Sequence, residues 1–179
     1  MITSPRLLLR PIQPSDAPAL FAYRSDAETN QYQGWVPSEL SDAEAFISRN
    51  PTDFNQSDTW FQLAIELQAT NTMIGDLGLH FIDDEQCELG ITLNKAYHGH
   101  GYAKEAMQAT ITHLFGVLNK HRITGSVDPR NTASMNLLEA LGFRKEAHFK
   151  QSLFFKGEWV DDVVYGLLNS EWKARQHTN

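Results

Sequence analysis

Six consecutive residues set the chemistry open to this chain: His98, Gly99, His100, Gly101, Tyr102 and Ala103. They stand between a short alternating segment and a long helical one. Glycine lets the backbone approach a ligand with no side chain in the way. A helix N-terminus adds unpaired N–H groups and the positive end of the helix dipole. Together these make an anion pocket suited to a phosphate or pyrophosphate. The competing reading is a tight strand-to-helix turn with no ligand, and Gly-x-Gly-x-Ala alone does not separate the two. His98 and His100 raise the question of a metal, but no third and fourth ligand follows at a usual spacing, so no metal is expected. Cys87 has no adjacent histidine partner and reads as a strand residue.

The elements that must position this loop follow from periodicity. Residues 3–10 alternate around Leu7 and Leu9 and stop at Pro11, which predicts a short strand. Ser15 and Asp16 can cap a helix to Arg24, with Ala17, Leu20, Phe21 and Arg24 at helical spacing. Residues 26–40 read as a loop. Ser41 and Glu44 have capping-box spacing, and a helix to about Asn50 follows. The period then becomes two: residues 60–66, 73–81 and 87–93 predict three strands of an antiparallel meander. Residues 102–118 carry an apolar stripe through Ala103, Ala106, Met107, Thr110, Ile111, Leu114, Phe115 and Leu118, the clearest helix in the chain. A strand over 122–127, a helix over 132–141 ended by Gly142, and strands over 144–155 and 158–168 complete the order. The fold class is α/β of the α+β kind. A mixed, mostly antiparallel sheet of about seven strands is flanked by about four helices, because tight hairpins forbid an all-parallel sheet. No linker or repeat divides residues 1–179, so one domain is expected.

Composition narrows the function. The chain has 179 residues, 41% hydrophobic and 21% charged, and a formal net charge of −7. That excess of acid argues against nucleic acid as a partner. No apolar stretch approaches the roughly 18 residues that cross a bilayer. Residues 1–20 lack the apolar core of a signal peptide. A single cysteine fits a reducing cytoplasm, the expected location. The charge is uneven: residues 1–93 carry net −10, residues 94–150 net +4 and residues 151–179 net −1. A basic middle segment suits an anionic ligand, and an acidic first half suits a cationic one.

Several segments in order carry a resemblance. Gly99, Gly101, Tyr102, Ala103, Glu105 and Ala106 match the pyrophosphate loop of the Gcn5-related N-acetyltransferase (GNAT) superfamily, in the form used by its ribosomal-protein N-terminal acetyltransferase (RimJ/RimL-like) branch. His98 departs from the usual Trp or Gln/Arg. The opening Thr3-Ser4-Pro5-Arg6-Leu7 resembles that branch's first strand. Ile74-Gly75-Asp76 and Glu88-Leu89-Gly90 resemble its third and fourth. Asn131-Thr132-Ala133-Ser134 with Gly142-Phe143 resembles its Asn-x-x-Ser…Gly-Phe segment. Gly157, Trp159, Asp161, Tyr165 and Trp172 resemble its C-terminal strand.

The resemblance implies an acetyl-CoA-dependent transfer to a primary amine by direct attack, with acetyl-CoA as co-substrate and no metal. It implies a splayed pair of fourth and fifth strands, residues 87–93 and 122–127, whose unpaired backbone holds the pantetheine chain. Cofactor contacts would come from Ile91, Leu93, His98, Gly99, His100, Gly101, Tyr102, Ala103, Lys104, Asn131 and Ser134. The backbone near Leu93 would polarise the thioester carbonyl, and Lys104, Arg130 and Lys95 would meet the phosphates. Glu88 matches a common family glutamate and would accept the amine proton; the alternative is a surface glutamate. Ser134 would protonate the thiolate, because Leu138 stands where many members have tyrosine; the alternative is a first-turn serine bonding backbone. Tyr32 and Trp35 would line the acceptor groove. The acceptor is a protein N-terminal amine on this resemblance. A small amine such as a polyamine or antibiotic, and a non-catalytic acyl-CoA-binding module, are the alternatives. A homodimer would fit the family.

Overall fold

The computed structural model describes residues 1–176. Its strands are β1 (Ile2–Thr3), β2 (Leu7–Pro11), β3 (Thr59–Leu67), β4 (Thr72–Phe81), β5 (Gln86–Leu93), β6 (Arg122–Val127), β7 (Arg144–Phe155) and β8 (Glu158–Leu168). Its α-helices are α1 (Ala17–Arg24), α2 (Leu40–Ser48), α3 (Tyr102–Gly116), α4 (Thr132–Ala140) and α5 (Asn169–Gln176). The strands form one sheet in the order β1-β2-β3-β4-β5-β6-β8-β7, antiparallel throughout except for β5 and β6.

Alternation in the strands sorts residues onto two faces. Phe61, Leu63 and Ile65 of β3, with Leu77, Leu79 and Phe81 of β4 and Cys87 and Leu89 of β5, pack against α3 through Ala106, Met107, Ile111, Leu114 and Phe115. On the other face Ala64 and Met73 meet α1 and α2 through Leu20, Tyr23, Ala43 and Ile47. The apolar stripe of α3 is therefore read correctly, with Ala103 and Leu118 at its partly buried margins.

Four details differ from the sequence reading. Ile2 and Thr3 form an eighth strand, held by pairing Ile2 with Leu9 rather than by any pattern of their own. A fifth helix, α5, holds Trp172, which packs on Phe115 and is not part of the last strand. The box that caps α2 is Glu39 with Asp42, so the helix starts at Leu40, one residue ahead of Ser41. Asp16 ends a 3-10 turn whose box partner is Gln13.

Candidate active site

The sheet opens at its one parallel junction. β5 and β6 pair only at Gln86–Arg122, Cys87–Ile123 and Glu88–Thr124, and then diverge. β5 stays paired with β4 as far as Leu93–Gly75, and β6 with β8 as far as Val127–Val163. Along an antiparallel strand, alternate residues turn both backbone groups to the same neighbour. The Gln86 carbonyl and the Asn94 N–H both face β4, bonding Ile82 and Ile74. By alternation Ile91 and Leu93 turn theirs into the gap, where His98 Nε2 reaches the Leu93 carbonyl at 3.0 Å.

Two contiguous clefts occupy the gap. The smaller, about 130 Å³, lies between Leu89–Ile91 and Gly125–Asp128. The larger, about 550 Å³, runs from Ile91–Leu93 to Gly99, Gly101 and the first turn of α3. Tyr32, Gln33, Ile91, Asn131, Ser134 and Leu137 line both. Gly99 and Gly101 have φ of +77° and +79°, a region that favours glycine, and a Cβ on Gly99 would meet no atom within 4 Å. Among the described residues no acceptor is recorded for the N–H groups of residues 99–104. Such a row of amides at a helix N-terminus is equipped to hold an anion. Thr92 also lines the larger cleft, and its buried Oγ1 has no partner.

The structure thus brings together Tyr32, Ile91, Leu93, His98, Gly99, Gly101, Tyr102, Ala103, Lys104, Asn131 and Ser134. Asn131 lines both clefts and caps α4, accepting the Ser134 N–H on Oδ1 at 3.1 Å. Ser134 makes no side-chain hydrogen bond among the described residues, so its hydroxyl is not spent on the backbone. Leu138 is buried against Gly125 at the inner wall.

Other expected residues lie elsewhere. His100 does not line the clefts; its ring stacks on Tyr102 and its Nδ1 meets the His98 carbonyl. Trp35 stacks on Phe46 of α2, 4.3 Å between ring centres, and not on the cleft wall. Lys95 does line the larger cleft but is paired with Asp26 and Glu28, and Arg130, which lines neither cleft, is paired with Asp128 and Glu158, so neither is a free cation. No group of three or more metal-type side chains occurs among the described residues.

Glu88 lies on the opposite face of the sheet from α3. Its register partner His80 stacks on Trp60, and His80 Nδ1 is 4.0 Å from the Glu88 carboxylate. Burial raises the Glu88 pKa, with Asp162 adding to it and His80 opposing. Ser126, on the wall of the smaller cleft, donates to Asp162 at 2.5 Å. Between them Gly90 is bare, with nothing within 4 Å of an added Cβ. The result is an open, acid-sided trough beside the gap. Gly90 is two residues from Glu88, roughly 7 Å along the strand, and Glu88 itself lines neither cleft.

The residues that the sequence reading missed belong to remote segments. Gln33, Ser126 and Leu137 carry no motif, and Gly90, though part of the Glu88-Leu89-Gly90 segment, was not among the expected site residues; the four meet only through topology. A second missed group is Arg24, which donates to Asp76 through Nε at 3.1 Å and Nη2 at 2.5 Å, and to Gln33 through Nη1 at 3.3 Å. It ties the loop after α1, with Tyr32 and Gln33, to the middle of the sheet.

Residues 6–144 match the family model of the acetyltransferase (GNAT) domain. The chain belongs to the GNAT family. It is an acetyl-CoA-dependent N-acetyltransferase. An uncharacterized N-acetyltransferase, YnaD of Bacillus subtilis, is 31% identical over 174 residues, covering 96% of this chain and 98% of YnaD. The [ribosomal protein uS5]-alanine N-acetyltransferase of Escherichia coli is 35% identical over 86 residues, 48% of this chain and 44% of that enzyme. Among solved structures, a GNAT-family acetyltransferase from Bacillus anthracis superposes with a TM-score of 0.86 at 29% identity, covering 95% of this chain and 99% of that one. Spermidine N-acetyltransferase from Vibrio cholerae, in complex with CoA and spermine, shares the fold with a TM-score of 0.82 at 20% identity, covering 95% and 99%.

Proposed function

We propose that this GNAT enzyme acetylates a protein N-terminal amine, with the larger cleft holding the coenzyme and the trough over Gly90 admitting the acceptor. The observation that carries the reading is the bare Gly90 strip between Glu88 and Ser126–Asp162, which accepts a thin chain and favours a cationic end. The partial similarity to the uS5-alanine enzyme supports the acceptor class.

In this reading the amides of residues 99–103 hold the pyrophosphate, with Lys104 beside them. Ile91, Leu93 and the Asn131 amide nitrogen bond the pantetheine chain. The Leu93 N–H faces the gap and polarises the thioester carbonyl. Glu88, through water, takes a proton from the incoming ammonium. The amine lone pair then forms the C–N bond as the C–S bond breaks. The thiolate takes a proton from Ser134, which recovers one from the nitrogen as it becomes an amide. One proton is released to solvent overall. Holding both substrates in one gap supplies much of the rate.

A second reading, a polyamine acceptor, is favoured by the carboxylates of Glu88 and Asp162 facing one trough. A thiol-release assay with acetyl-CoA and a panel of Ala-, Ser- and Met-initiated peptides, spermidine and spermine separates the two. Faster turnover of a peptide supports the first reading; turnover of polyamines alone overturns it.

A further inference from the structure

Arg6 and Glu105, 99 residues apart, meet beside the phosphate loop, and the reaction as derived uses neither. Glu105, in the first turn of α3, accepts from the Ser4 hydroxyl at 2.7 Å, the Arg6 backbone N–H at 2.8 Å and Arg6 Nε at 2.6 Å. Arg6 Nη1 donates to the His100 carbonyl at 3.1 Å. The guanidinium carbon lies 4.4 Å from the centre of the Tyr102 ring, and Nη2 would sit 3.6 Å from a Cβ on Gly101. Arg6 therefore touches three consecutive residues of the loop, yet neither Arg6, His100 nor Glu105 lines the cleft.

Two consequences follow from elementary geometry and charge. A trans peptide is planar, so its C=O and the following N–H point in opposite directions. With the His100 carbonyl held outward by Arg6, the Gly101 N–H is turned toward the cleft that Gly101 lines. A carboxylate in the first turn of a helix also uses the same positive end that a bound anion needs. Left uncompensated, Glu105 would repel a pyrophosphate; three donors, two of them from Arg6, draw its charge away.

We propose that Arg6 is a positioning residue for coenzyme binding: it aims the 100–101 peptide into the cleft and neutralises Glu105, leaving the N-terminus of α3 to the pyrophosphate. This rests on reading residues 99–103 as the pyrophosphate loop.

The test titrates the full chain with coenzyme A and with pantetheine, which has no pyrophosphate, following binding by chemical-shift change. For Arg6→Ala the dissociation constant of coenzyme A rises about tenfold, while that of pantetheine is unchanged. Arg6→Lys keeps the charge beside Glu105 but cannot also hold the His100 carbonyl, and falls between parent and Arg6→Ala. Adding Glu105→Gln to Arg6→Ala recovers part of the loss. An Arg6→Ala variant that binds coenzyme A like the parent overturns the proposal, as does one that loses both ligands by the same factor. A parent chain with no preference for coenzyme A over pantetheine instead refutes the loop reading on which the proposal rests. If Arg6→Ala does not fold, Arg6→Lys alone decides, by the same ratio of the two dissociation constants.

Discussion

Asp76 is fully buried on β4 and accepts four hydrogen bonds, from Tyr23 Oη at 2.6 Å, Arg24 Nε and Nη2, and Gln62 Nε2. Arg24 is 7% exposed and its pKa is raised: burial works against its charge, but Asp76 outweighs burial. Asp76→Asn keeps the shape and removes the charge. The guanidinium is then buried without a counter-ion, and the new amide NH₂ faces donors rather than acceptors. Breaking a buried ion pair on one side costs about 3–5 kcal/mol. In a chain of this size each kcal/mol lowers Tm by roughly 2–4 °C, so the melting temperature should fall by about 6–20 °C. Urea denaturation of the parent, Asp76→Asn, Arg24→Met and the double variant measures the loss and the coupling. The double variant strands no charge, so it should cost less than the sum of the two singles by at least about 1 kcal/mol. Additive losses, or a loss below about 1 kcal/mol for Asp76→Asn, would refute the view that this pair anchors the α1 end of the following loop to the sheet. The structural corollary is specific: the Arg24–Gln33 tie to the sheet loosens, while Tyr32 Oη keeps the Arg130 carbonyl and Lys156 keeps the carbonyls of Asn30 and Gln31.

Three further outcomes are expected. With Glu88 as the proposed base, Glu88→Gln should lower the turnover rate about a hundredfold, the low end for a general base, and it should remove the acid limb of the pH–rate profile; an unchanged limb rules Glu88 out. Its effect on stability has a defined sign: a carboxyl whose folded pKa is raised lends stability that is fully present below the unfolded pKa and lost as pH rises through the folded value, so Glu88→Gln should melt higher than the parent at pH 7 and at the same temperature near pH 3, as calorimetry would check. Gly101→Val forces a branched residue to φ of +79°, costing about 1–2 kcal/mol or more, and should raise the dissociation constant of coenzyme A; normal binding removes the loop from the phosphate site. Cys87 is buried, and burial pushes its thiol up to about 12, so native protein at pH 7.5 should resist a thiol reagent until urea unfolds it, and fast labelling of the native chain would contradict that burial.

What could be read from the sequence was what is local. The α3 stripe and the alternation of β3 each report a period: Phe61, Leu63 and Ile65 share the α3 face, although residues 61–65 are all buried because helices cover the other face as well. The loop over residues 98–103 is contiguous, and the two glycines that mark it have the positive φ that such a turn requires. What was missed has no local signature. Two residues of β1 have no period. The α5 helix buries no residue and is polar around most of its circumference, so its pattern resembles a tail. Gln33, Gly90 and Ser126 come from three elements and meet only because β5 and β6 part beneath the loop after α1. Trp35 misled for the same reason: an aromatic in that loop has two faces to choose between, and packing on Phe46 won.

The charge asymmetry shows why counting along the chain is weaker than counting in space. The net +4 of residues 94–150 suggested a basic surface for an anionic coenzyme. In the fold, Lys95 and Arg130 are drawn to carboxylates, and among the cations named there Lys104 lines the larger cleft without an ion-pair partner. The cation that touches the phosphate loop is Arg6, from the segment whose net charge is −10. On the proposed reading, an anion at this site is held chiefly by oriented amides and a helix N-terminus. Mobile surface charge plays the smaller part, which predicts weak salt dependence, because fixed dipoles at short range are screened far less than exposed ion pairs. Coenzyme A affinity should then change less than about threefold between 50 and 300 mM NaCl in an isothermal titration. A steep loss over that range would return the binding to the lysines.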